Sequence, residues 1–158
     1  MSYDAGRVSV ECKARNMVRG VLGVVGGWIV WWIGFFLLAR SLYFVWPAYA
    51  VAAHEFMTTG ADGFTVPMSL CNALFWVLAE IAAGWIAVVI GRRRESAWIL
   101  AALLMVFLCF MHLYLEWDRF AGWYNFAVAL PAGPAVLLGG RLAARFARPA
   151  AVMATSMP

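Results

Sequence analysis

The chain has 158 residues, a formal net charge of +4, 65% hydrophobic residues and 13% charged ones. Soluble domains carry roughly a quarter charged residues, so this composition excludes a water-soluble globule and points to a single integral membrane domain. Its arginines flank apolar runs and build no separate basic domain, which argues against nucleic acid as a partner.

Residues 1–19 read as a basic cytoplasmic tail holding Arg7, Lys13, Arg15 and Arg19. A bilayer core needs about 20 apolar residues at a rise of about 1.5 Å each. The uncharged run 20–39 meets that length and is the first expected span. The run is longer than a signal-peptide core of about 7–15 residues, so "PAYA" at 47–50 reads as part of a loop and not as a cleavage site. Gly20, Gly27 and Gly34 fall almost on one line of this helix, and Gly23 with Gly27 forms a GxxxG. Such a groove admits a second helix closely, and packing within the chain is the expected use.

Residues 40–65 form a long aromatic outer loop. Pro47 suits the first turn of a helix, so 47–58 is expected as a short interfacial helix, with "TTGADG" turning into the next span. Further spans are expected at 66–91, 96–115 and 120–140, within a membrane domain that ends near 143. Residues 144–158 read as a cytoplasmic, disordered tail. The loops 92–95 and 116–119 are very short, so the last three spans must form an antiparallel meander. The expected fold class is all-α: a four-helix membrane bundle with an interfacial helix in its first outer loop.

The basic residues set the expected orientation. Four lie in the first tail, three are Arg92, Arg93 and Arg94, and Arg141, Arg145 and Arg148 lie in the last tail. Arg40 and Arg119 alone fall on the other side. The positive-inside rule then puts both termini in the cytoplasm, with Arg92, Arg93 and Arg94 as topology anchors.

Glu80 is the one charged residue between Asp62 and Arg92. At 100° per residue it shares a face with Ser69, Ala73, Trp76, Ala83, Gly84, Ala87 and Gly91, so it should point into the bundle. Burial away from water favours its uncharged acid form. It is expected either to tie two helices together by a hydrogen bond or to act as a proton-carrying or substrate-binding carboxyl.

Both histidines fall on the expected outer side. His54 and Glu55 lie on the short helix, while His112 and Glu116 are i,i+4 neighbours at the end of the third span. Together with Asp118 and Arg119 they read as a polar cap on the last hairpin, with Asn72 and Asn125 extending it inward. Met105, Cys109 and His112 share a helix face, an arrangement of soft ligands suited to copper, and His54 with His112 is a conceivable haem pair. The spacing specifies neither, so no metal and no cofactor is expected. Three cysteines without a CxxC motif argue against a disulfide scaffold or a thiol oxidoreductase, and no nucleophile elbow, phosphate loop or zinc spacing is present.

Two stretches, "AEIAAGWIAVVIGRRR" (79–94) and "GWYNFAVALPAGPAVLLGGRLA" (122–143), resemble small bacterial multi-span membrane proteins. Those proteins have a Gly–aromatic pair in a helix ending at paired arginines, and a last helix that begins at Trp-Tyr and runs through proline. The resemblance implies a helical bundle in the bacterial inner membrane and carries no activity. The expected function is that of a noncatalytic accessory or interaction subunit, with the lipid bilayer, a second copy or another membrane protein as partner. A small proton-coupled transporter or permeability factor using Glu80 is the alternative, and an outer-face metal- or haem-binding redox protein the third reading.

Overall fold

The computed structural model describes residues 4–60 and 62–146, with side chains from Lys13 onward. Of the tail expected to be disordered, 144–146 instead continue the last helix and the rest lies outside the described residues, as do the side chains of Arg7 and Cys12. All regular structure among the described residues is helical. Four helical stretches are long and apolar enough to cross a membrane: 13–45, 66–91, 95–115 and 122–146.

Helix α1 runs unbroken from Asp4 to Val45. It therefore begins before the apolar run and ends after it. Hydropathy marks how deep a residue lies in lipid, whereas helix ends are set by breakers. No proline interrupts 4–45, and Arg40 is as good a helix former as leucine. The end comes at Trp46, which is held extended (φ −134°, ψ 89°) by the proline that follows. Pro47 then opens α2 (Pro47–Thr59), which stops at Gly60 in the left-handed conformation (φ 74°). Its buried Tyr49, Ala52 and Ala53 pack on Leu42 of α1 and Met68 of the next helix.

Helix α3 (Val66–Gly91) is the centre of the bundle, packed against both α1 and the last helix of the chain. Ser69, Ala73, Trp76, Glu80, Ala83, Gly84, Ala87 and Gly91 are all buried, the face expected from the sequence. Leu70, Leu74, Leu78 and Val89 are exposed on the opposite side, where lipid would lie. Helix α4 (Glu95–Phe110) continues into a π turn, Met111–Leu115, closed by the Glu116 N–H donating to the Met111 carbonyl at 2.8 Å. The last span is divided into α5 (Gly122–Ala129) and α6 (Ala132–Phe146). Pro131 sits at the break: it has no N–H to give, and its ring crowds the carbonyl one turn earlier.

Small residues decide how closely these helices approach. A Cβ on Gly84 would collide with the Val136 carbonyl, and one on Gly139 with the Ile81 carbonyl, so α3 and α6 touch backbone to backbone. A Cβ on Gly23 would lie 2.8 Å from the Gly91 nitrogen, and one on Gly27 2.8 Å from the Ala83 carbonyl. The GxxxG of α1 is thus filled by α3 of the same chain. Trp31, Leu100, Leu104, Leu108, Val128 and Val136 complete the central core.

Candidate functional site

At the α2 end of the bundle, α1, α2, α3 and the π turn enclose a cavity of about 470 Å³. Ligand pockets run from roughly 300 to 1,000 Å³ and are mostly apolar with a few convergent polar groups. The walls here are aromatic. Phe35 of α1 stacks on Trp76 of α3, with centroids 3.8 Å apart and planes at 15°. Trp32 and Phe36 form a second parallel pair at 5.4 Å, while Phe120 and Tyr124 close the far side.

The polar groups come from four separate segments. Arg40 arrives because α1 continues past the apolar run, and it lies over the Tyr43 ring at 4.9 Å. The Tyr49 hydroxyl donates to the Asn72 side-chain oxygen at 2.8 Å. Burial holds the Tyr49 phenol above its ordinary range, and the Asn72 bond opposes that shift. His112, buried among Trp76, Phe120 and Tyr124, places Nδ1 3.2 Å from the Asn125 oxygen. The Asn125 amide nitrogen donates to the Trp117 carbonyl at 3.4 Å, which fixes the orientation of this amide. Its oxygen can only accept, so Nδ1 carries the proton and Nε2 of the neutral ring is left as an acceptor. Glu116 stands 3.8 Å from Nδ1, a long contact.

The structure therefore brings together Asn72, His112 and Glu116 of the expected outer cluster. It does not bring in His54, Glu55 or Asp118, which are exposed and line no part of the cavity. The expected cap on the hairpin is corrected accordingly. His112 is a buried residue of the cavity wall, and Asp118 and Arg119 stay at the surface. His54 and His112 do not share a cavity, so they are not arranged as a haem pair. Among the described residues no three His, Cys, Asp or Glu side chains gather as metal ligands. Sequence reasoning missed Arg40, Trp76 and Tyr124 as cavity residues. Helix periodicity marks Trp76 as buried but cannot say that it faces a space and not another side chain.

The chain finds no match among protein-family models, curated proteins or solved structures.

Glu80 lies outside the cavity lining, one helical turn from Trp76. It is wholly buried, and neither of its oxygens has a hydrogen-bond partner among the described residues. The indole N–H of Trp31, also wholly buried, is likewise unpaired. Among the described residues no side chain or backbone group takes up the carboxyl tie between helices that the sequence suggests, and Glu80 sits in the tight α3 stripe. Arg92, Arg93 and Arg94 lie at the other end of the bundle, beside Ser96 and the Arg19–Gly20 turn of α1.

Proposed function

We propose that this chain is a noncatalytic membrane protein that binds a lipid-soluble ring compound carrying a hydrogen-bonding head, and that it serves as an accessory subunit through that binding. The observation that carries the reading is the aromatic cavity with its small polar set. The stacked Phe35–Trp76 pair offers a flat wall to a flat ring. Nε2 of His112 accepts from a hydroxyl or amine, and the Asn72 amide nitrogen, which donates to no protein group among the described residues, can donate to a ring oxygen.

The support for a binding role, and not a catalytic one, is the character of the lining. His112 is pinned by Asn125 and surrounded by aromatic rings, and no serine, threonine or cysteine among the lining residues stands ready as a nucleophile. The test uses the purified full chain and 1-naphthol, a flat apolar ring with one hydroxyl, in equilibrium dialysis. Saturable binding that weakens about tenfold in His112→Phe, the worth of one buried hydrogen bond, is expected. Non-saturating uptake equal to that of naphthalene would end the proposal.

We place the protein in the bacterial cytoplasmic membrane with both termini and the Arg92–Arg94 turn on the cytoplasmic side. The support is the segregation of basic residues: Arg19, Arg92, Arg93, Arg94, Arg141 and Arg145 toward one end, Arg40 and Arg119 toward the other. A reporter active only in the cytoplasm should work within 92–95 and fail within 60–63.

Glu80 favours a second reading, proton-coupled transport. An unpaired carboxyl in a packed groove is costly, and this one stands one turn beyond Trp76 on the cavity wall. Infrared difference spectra across the neutral pH range decide it. A carboxylic-acid band that titrates means water reaches Glu80, and a constant band removes the transporter reading.

A further inference from the structure

The Arg92–Arg94 end of the bundle carries a feature that the cavity at the α2 end does not explain. A groove of about 580 Å³ opens between the end of α3 and the end of α6. Its walls are of two kinds. Val88, Val89, Ala143 and Ala144 form an apolar side, and Arg92, Arg93 and Arg94 form a cationic rim. All three arginines are exposed. The one ion pair among the described residues joins His112 and Glu116, so none of the three arginines forms an ion pair there, not even with the adjacent Glu95.

The backbone at the rim is strained. Arg92 caps α3 in the left-handed conformation (φ 53°), the one non-glycine residue with positive φ among the described residues. Glycine is the usual residue at such a cap. The glycine of this segment stands one position earlier, at Gly91, where a Cβ would collide with the Ser96 hydroxyl. Packing uses the glycine at 91, and an arginine takes the strained position at 92. Strain of this kind persists where surrounding structure enforces it, and it gathers at ligand sites. The next helix begins immediately: α4 starts at Glu95 with no side-chain cap, so its first N–H groups add positive potential beside the arginines.

We propose that this groove binds the phosphate headgroup of an anionic phospholipid, with the start of its acyl chain against Val88, Val89, Ala143 and Ala144. Two observations and one principle select that occupant. The rim is cationic and its arginines pair with no carboxylate among the described residues. Guanidinium groups grip phosphate through paired hydrogen bonds. The site lies at the end of a membrane-spanning helix, with an apolar wall leading toward the bilayer, and basic pockets between spans suit anionic headgroups. A soluble anion would use the rim and leave the wall empty.

Native mass spectrometry of the detergent-purified full chain tests this, with phosphatidylglycerol and phosphatidylcholine as probes and inorganic phosphate as competitor. One phosphatidylglycerol should be retained about tenfold more strongly than phosphatidylcholine, and excess phosphate should not displace it. Changing all three residues, Arg92→Lys, Arg93→Lys and Arg94→Lys, keeps the charge that orients the chain but removes the forked donors, and it should erase most of that preference. Ala144→Trp fills the wall with the rim intact and should weaken phosphatidylglycerol retention. Equal retention of the two lipids, displacement by phosphate, or unchanged preference in both variants would overturn the proposal.

Discussion

Nδ1 of His112 lies 3.2 Å from the side-chain oxygen of Asn125, joining the π turn after α4 to the first helix of the last span. Both residues are buried, so neither partner has water as a substitute. Asn125→Leu should therefore leave the imidazole donor stranded and lower stability by about 1–3 kcal/mol. Adding His112→Phe removes the stranded group, and the double variant should lose less than the two single losses combined. Thermal unfolding of the four proteins in one detergent measures this, and strict additivity would mean the bond contributes nothing.

Glu80 leads to an expectation opposite to that of a structural tie. Its oxygens are buried and have no partner among the described residues, so replacing it removes a desolvation penalty and breaks no hydrogen bond among them. Glu80→Leu should unfold at the same temperature as the parent or higher, and Glu80→Gln, still polar, should lie below Glu80→Leu. A Glu80→Leu protein less stable than the parent would show that the carboxyl has a partner after all.

Two glycines of similar appearance should behave in opposite ways. A Cβ at Gly84 would collide with the Val136 backbone, which cannot swing aside, so Gly84→Ala must push α3 and α6 apart at a cost of about 1–3 kcal/mol. At Gly34 the nearest atom to a new Cβ is the Ala79 methyl at 3.6 Å, an ordinary contact. Gly34→Ala should therefore stabilise by about 0.5–1 kcal/mol through reduced backbone entropy. Thermal unfolding midpoints shifting in the same direction for both would refute the packing described for α3.

Tyr49 makes stability depend on alkaline pH. Burial raises its phenol above the ordinary value of 10.0. A raised acid is held neutral in the fold, so its contribution is complete below 10.0 and is lost as pH climbs through the higher folded value. Tyr49→Phe leaves the Asn72 oxygen without its donor and should cost about 1 kcal/mol at neutral pH. It should also flatten the fall in stability above the tyrosine range. An identical alkaline profile in both proteins would assign that fall to other groups.

Helix α3 was legible in the sequence from end to end. An apolar run bounded by Thr65 and Arg92, broken by Glu80 alone, sets its length, and the small residues between Ala73 and Gly91 mark its buried face. The ends of α1 were not, because charges at Arg19 and Arg40 bound the uncharged run while nothing in Asp4–Val45 stops a helix. The π turn at Met111–Leu115 has no marker in composition. The polar core of the site was half legible. His112, Glu116 and Asn72 were grouped from the sequence, while Arg40, Tyr49 and Tyr124 join them only through the packing of α1, α2 and α5 around the cavity. Contacts that distant in the chain leave no periodic trace.

The aromatic wall has an optical consequence. Trp31 is within 5.5 Å of Trp28, 4.9 Å of Trp32 and 5.2 Å of Trp76, measured between ring centroids, and Trp32 and Trp76 face the cavity. Four indoles this close should exchange excitation, so their emission is expected to respond together. An occupant that touches either cavity-facing ring should alter the light from all four. The molecule thus carries an intrinsic gauge of cavity occupancy that needs no label, and Trp31→Phe would disconnect it while leaving both wall indoles in place.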